Sequence, residues 1–178
     1  MVKRLREKTE IPIVFLTYAN SIFAYGKERF MERCRDSGID GVIVPDIPYE
    51  EKDELAGVCQ KYGIAQIMIV APTSKERTET IAKDADGFLY CVSTLGVTGI
   101  RDEIRTNMSE IIERVRKVSD IPCAIGFGIS TPEQARDMSS VSDGAIIGTS
   151  IVKIIGEYGR DCAEPVKQYV ARIRDAVE

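Results

Sequence analysis

Six stretches of the chain are apolar almost without interruption: Ile11–Leu16, Gly41–Pro45, Ala65–Val70, Gly87–Cys91, Ile121–Ile125 and Gly144–Ile147. A strand with one wet face alternates polar and apolar residues, whereas a near-continuous apolar run suits a parallel strand covered on both faces. Helical spacing fills the intervals. Phe30, Met31 and Cys34 share a face within 26–37, and a second helix covers 50–62. A third opens at Thr73, which with Glu76 matches a capping box. A fourth runs over about 109–118, with Ile111, Ile112, Val115 and Val118 in phase. A fifth begins at Thr131 as N-cap, with Pro132 in the first helical position and Gln134 completing the box. The last occupies 164–177, with Val166, Val170 and Ile173 as its apolar stripe.

Strand starts recur every 22 to 34 residues, the period of a strand–helix unit with right-handed crossovers. The expected fold is a parallel sheet of six strands in sequential order. It curves like part of a barrel, with helices outside and an open side between the strands near Ile13 and Ile146. No linker or low-complexity tract divides the 178 residues, so one partial barrel domain over 1–178 is expected. Val2–Lys8 reads as the last turns of a basic amphipathic helix with nothing capping its start. Either it is a short frayed helix, or earlier units are missing. Six units fall short of eight, and an eight-unit barrel takes about 250 residues.

Two glycine turns carry the candidate chemistry. Gly126-Phe127-Gly128-Ile129-Ser130 follows the fifth apolar run, and Gly148-Thr149-Ser150 follows the sixth and opens a short helical segment. Glycine lets backbone approach a ligand, and helix N-termini present unpaired N–H groups with partial positive charge. In strand–helix barrels the loops after the last two strands often hold a phosphate. Two ordinary strand-to-helix turns would read the same way. The longest gap between runs contains Ser93–Ile100, a glycine-bearing loop of the kind that forms lids or ligand contacts. Asp46 directly follows a buried run, which suits either a site role or the capping of a helix beginning near Tyr49.

Composition narrows the chemistry. There is no histidine, which removes histidine triads, proton shuttles and metal ligands. Cys34, Cys59, Cys91, Cys123 and Cys162 are scattered without metal or redox spacing, which points to a reducing cytoplasm. A net charge of −4 argues against a nucleic-acid surface but not against phosphate, which backbone N–H groups hold unaided. No apolar stretch reaches membrane-spanning length.

Five segments in order resemble the tryptophan synthase alpha subunit family across essentially the whole chain: 16–20 (LTYAN), 44–48 (VPDIP), 95–99 (LGVTG), 126–134 (GFGISTPEQ) and 148–155 (GTSIVKII). Their spacing fits strands three to eight of that family's eight-stranded TIM (β/α)8-type barrel. The resemblance thus implies an N-terminally truncated barrel lacking the first two strand–helix units. It implies cleavage of indole-3-glycerol phosphate to indole and glyceraldehyde 3-phosphate in tryptophan biosynthesis, with no cofactor. Thr98 and Gly99, Gly126 and Gly128, and Gly148 and Thr149 match positions that cradle the phosphate. Leu16, Tyr18, Tyr90 and Phe127 match the walls around the indole and glycerol parts, and 96–99 matches a mobile lid. Tyr18, Tyr90 and Phe127 also read as plain core aromatics, and Thr98 as a turn residue.

The family's two principal carboxylates sit on the first and second units, so neither has a counterpart here. Asp46 and Tyr90 are left as auxiliary candidates, and the bare chain is expected to be inactive. The family's pyridoxal-phosphate beta subunit is a possible partner, although the family's main contact loop is absent from these residues. Open sheet edges would favour self-association. Two other readings stand beside this one: another phosphate-binding barrel isomerase, and a non-catalytic ligand-binding or partner-activating protein.

Overall fold

The computed structural model of the chain describes residues 1–72, 75–93, 101–126 and 128–178. They form two compact units, Met1–Ile69 with Asp84–Phe88, and Val70–Lys83 with Leu89–Glu178.

The first unit runs α1 (Val2–Arg6), β1 (Val14–Leu16), α2 (Ala19–Tyr25), α3 (Lys27–Ser37), β2 (Gly41–Ile43), a 3-10 turn (Tyr49–Glu51), α4 (Asp53–Tyr62) and β3 (Ala65–Val70), the last residue of which falls in the second unit. The strands pair in parallel, with Val14 opposite Gly41 and Gly41 opposite Ala65. Side chains from both strands and helices meet in one core, including Ile22, Met31, Val42, Leu55 and Cys59. β2 is buried at every position, as a central strand of this kind should be.

β1 is shorter than the apolar run 11–16, for a local reason. Pro12 has no N–H to give, the Ile13 N–H goes to the Asp40 carboxylate (2.7 Å), and the Ile11 carbonyl accepts from the Arg6 guanidinium (2.6 Å). Arg6 also donates to the Gly38 carbonyl (2.8 Å) and pairs with Asp40, so one side chain fastens α1 to the β1 and β2 entrances. α2 is a helix that the apolar pattern does not reveal. Gly26, at φ +94°, separates it from α3.

The second unit carries α5 (Lys75–Asp84, its last residue in the first unit), β4 (Leu89–Val92), α6 (Arg101–Arg116), β5 (Cys123–Gly126), α7 (Pro132–Ser139), β6 (Gly144–Ile146), α8 (Thr149–Tyr158), a 3-10 turn (Gly159–Asp161) and α9 (Ala163–Val177). Its strands are again parallel, with Leu89 opposite Cys123 and Ala124 opposite Gly144. Met108, Ile111, Ile112 and Val115 of α6 are buried at helical spacing, as are Leu89, Ile125, Ala135 and Met138 of the same unit. The helix expected over 109–118 starts earlier, at Arg101.

The stripe expected on the last helix needs one correction. Val170 is 46% exposed, and Tyr169 takes the inward position at 8%. Val166, Tyr169 and Ile173 recur at the spacing of a single helix face. Val170 lies one position further on, which turns it outward.

Candidate functional site

The two glycine turns lie in the second unit and are built differently. Gly126 closes β5, and its carbonyl accepts from both the N–H (3.0 Å) and the hydroxyl (3.2 Å) of Ser93, at the end of β4. The Tyr90 side chain lies over Gly126, so a Cβ there would overlap the tyrosine hydroxyl and ring. This position admits only glycine while Tyr90 stays in place. Tyr90 is half-buried, and burial pushes its phenol above the ordinary range, which keeps it a neutral hydroxyl at physiological pH.

Gly128 turns the chain with φ +80°. The Ser130 N–H (2.8 Å), the Ser130 hydroxyl (3.0 Å) and the Thr131 N–H (3.1 Å) then all donate to Oε1 of Gln134. The Thr131 hydroxyl accepts the Gln134 N–H at 3.2 Å, which completes the predicted capping box. Pro132 has no N–H. The donors at the entrance to α7 are therefore largely used within the turn. From α9, the Tyr169 hydroxyl donates to the Ser130 carbonyl at 2.9 Å and fixes the turn from outside.

The α8 entrance is open by contrast. Gly148 is its N-cap, offers no side chain, and leaves the helix without a side-chain cap. A Cβ at Gly148 would meet nothing within 4 Å. Gly148 and Thr149 are both exposed. The first N–H groups of a helix have no intrahelical acceptor, and with the helix dipole they attract an anion.

In the first unit, Leu16 ends β1 at 61% exposure and Tyr18 is the N-cap residue of α2 at 62%. Tyr18 is therefore not a core aromatic. Asp46 does not cap the helical turn at Tyr49, whose N-cap is Pro48 without a side-chain bond. Its carboxylate instead accepts the Ala19 N–H, at 2.9 Å to Oδ1 and 3.2 Å to Oδ2. Thr98, Gly99 and Phe127, together with the 96–99 lid stretch, lie outside the described residues.

Other reactive groups fit structural roles. Burial raises the Cys34 thiol to about 11 and Cys59 to about 12, and the hydrogen bond with Cys123, with burial behind it, pushes Cys91 up, so none of these is a ready nucleophile. Among the described residues no cluster of three metal-ligating side chains occurs, and no helix is long and apolar enough to cross a membrane. One polar cluster escaped the sequence reading. Asp84 accepts from the Tyr49 hydroxyl (2.6 Å) and pairs with Lys52, which holds its carboxyl below the usual range. It is an exposed ionic clasp between residues 32 and 35 positions apart. Ser93 and Tyr169, which brace the first glycine turn, also gave no local signal. A cavity in the first unit, lined by Val2, Phe15, Tyr25, Phe30 and Cys34 among others, touches none of the candidate residues.

Six parallel strands, each followed by a helix, with glycine turns at the carboxyl ends of the last two, define a protein of the β/α-barrel class. The sequence model of the tryptophan synthase alpha chain matches residues 1–178. The chain is 42% identical to the tryptophan synthase alpha chain of Lacticaseibacillus casei, over 100% of this chain and 67% of that one. It is 46% identical to that of Caldanaerobacter subterraneus subsp. tengcongensis, over 99% and 68%. A solved tryptophan synthase α2β2 complex from Pyrococcus furiosus superposes with a TM-score of 0.86 at 34% identity, covering 98% of this chain and 71% of the matched chain. The chain belongs to the tryptophan synthase alpha chain family, and it spans about two thirds of the length of these relatives. This is a family of carbon–carbon lyases of tryptophan biosynthesis, and the match does not favour the isomerase and non-catalytic readings.

Proposed function

We propose that the chain forms the phosphate- and indole-binding part of a site that cleaves indole-3-glycerol phosphate to indole and glyceraldehyde 3-phosphate. The observation that carries this is the open, glycine-led N-terminus of α8 in a chain of this family. Thr149 and the N–H groups after Gly148 hold the phosphate, and Gly126, Gly128, Thr98 and Gly99 are the further cradle positions of this reading. Leu16, Tyr18, Tyr90 and Phe127 line the indole and glycerol parts.

The cleavage breaks one carbon–carbon bond. A proton leaves the glycerol hydroxyl as it becomes the aldehyde, and a proton is delivered to the indole carbon that takes up the bonding pair. Two carboxylates in different environments serve such a pair of transfers. We assign neither transfer to these 178 residues. The Pyrococcus furiosus relative is solved within an α2β2 complex, and a beta subunit is the partner this reading gives the present chain. Five free cysteines suit a reducing, cytoplasmic setting. We further propose one partial barrel domain over 1–178. β1 and β6 contain no fully buried residue, and such strands favour self-association.

Indole release from indole-3-glycerol phosphate tests the reading. The 178-residue chain alone should be inactive, and adding the first two strand–helix units of a family member should raise activity and solubility together. Full activity of the chain alone would overturn the assignment and turn attention to Asp46 and Tyr90 as the acid–base pair.

A further inference from the structure

The loops after β1 and β2 meet at one hydrogen-bonded junction. The two strands are in parallel register, with Leu16 opposite Ile43, and the Thr17 N–H extends the ladder one step by donating to the Ile43 carbonyl at 3.0 Å. Ala19 and Asp46 each lie three residues beyond those partners, so the two loops run out side by side. A turn closed by the Ile47 N–H on the Val44 carbonyl (3.3 Å) shapes the second loop. The Asp46 carboxylate then receives the Ala19 N–H on both oxygens.

This bond does what the local sequence of α2 cannot. α2 has only seven residues, and its N-cap, Tyr18, supplies no side-chain acceptor. A carboxylate from the neighbouring loop takes one of the orphan N–H groups and sits at the positive end of the helix. The result brackets Tyr18. The backbone before it is held by Ile43, the backbone after it by Asp46, and the extended conformation between (φ −90°, ψ 150°) aims a ring that is 62% exposed. With so little packing around the ring, the backbone at Tyr18 is what fixes the direction of its Cα–Cβ bond.

We propose that Asp46 is a positioning residue for Tyr18, acting through the Ala19 N–H, and is neither the acid nor the base of the reaction. The inference rests on the reading of Tyr18 as a wall of the indole pocket. Three variants separate positioning from proton transfer. Asp46→Ala removes the acceptor. Asp46→Asn keeps an acceptor oxygen but cannot exchange a proton in the working range. Ala19→Pro removes the donor and leaves the carboxylate untouched. Proline suits the first position of a helix, and Tyr18 already has the extended backbone that precedes a proline.

The probes are indole and glycerol 3-phosphate, titrated calorimetrically into the 178-residue chain. Asp46→Ala and Ala19→Pro should each weaken indole binding by roughly 10-fold, the scale of one hydrogen bond to a charged group. Asp46→Asn should retain most of the affinity, and glycerol 3-phosphate should bind all variants alike. Amide spectra of protein labelled with 15N-alanine give a readout independent of ligand. The Ala19 resonance should shift markedly in Asp46→Ala, which removes the acceptor, and much less in Asp46→Asn, which keeps one. The inference is overturned if Asp46→Asn is as damaged as Asp46→Ala, if Ala19→Pro binds indole like the unaltered chain, or if the unaltered chain binds no indole. Loss of glycerol 3-phosphate binding alone would sink the proposed phosphate site and leave the Asp46 result standing.

Discussion

The entrances to α7 and α8 look alike as sequence, and the molecule uses them in opposite ways. Both follow a parallel strand and both are led by glycine. At α7 most of the donors are taken: Gln134 takes the N–H groups of Ser130 and Thr131, Thr131 takes that of Gln134, and Pro132 has none. At α8 the N-cap is a bare glycine with open space where a side chain would stand. An anion needs donors that nothing else has claimed. The first turn is therefore closed on itself around Gly128, and in the proposed site it is the second that has donors to offer an anion. A capping box and an anion site are competing uses of the same N–H groups.

The sharpest way to break this contrast is to fill the open turn. Gly148→Leu places a side chain where a Cβ meets nothing within 4 Å and where φ is −120°, a value any residue adopts. Stability should change by less than about 0.5 kcal/mol, as for a surface site. Glycerol 3-phosphate affinity should fall by roughly 100-fold, corresponding to the loss of two charge-assisted hydrogen bonds. Calorimetric titration beside thermal unfolding reads both. Unchanged affinity with unchanged stability would remove the anion from α8.

The contrast was only half legible in the sequence. The strands were readable because apolar runs between helical stretches survive any detail of packing, and Thr131-Pro132-Glu133-Gln134 announced the start of α7. The second use of Gln134, reaching back to Ser130, depends on the turn that Gly128 makes and was not visible. Long-range partners left no local trace. Tyr169 meets Ser130 from 39 residues away, and Asp46 meets Ala19 from 27. α2 escaped because it is short and takes its cap from another loop. The apolar stripe of α9 was set one residue out of phase at Val170, because a tyrosine with a hydrogen-bonded hydroxyl filled the inward place that hydropathy gave to valine.

A smaller effect should come from opening the closed turn. Thr131→Ala and Gln134→Ala each remove part of the capping box and should each cost about 1 kcal/mol in denaturant unfolding. Together they should cost less than the sum, because the two bonds support one turn. Glycerol 3-phosphate affinity should fall by less than roughly threefold, about half the energy that a full tenfold represents. A loss as large as that of Gly148→Leu would mean that α7 also holds the anion.

The smallest effect concerns the brace on the closed turn, and it isolates how much of the rigidity comes from outside. Tyr169→Phe deletes one hydroxyl and leaves the buried ring on α9 in place. The lost bond, from the tyrosine hydroxyl to the Ser130 carbonyl at 2.9 Å, should cost about 0.5–1.5 kcal/mol. Ser130 is held from both sides: its carbonyl by Tyr169, its N–H and hydroxyl by Gln134. If those bonds cooperate, Tyr169→Phe should cost less in a Gln134→Ala background than in the unaltered chain, because the turn has already loosened. A double-mutant cycle in denaturant measures that difference. Strict additivity would mean that Tyr169 and Gln134 hold Ser130 independently of one another. A coupling of about 0.5 kcal/mol or more would make the C-terminal helix part of what holds Gly128 in its left-handed conformation.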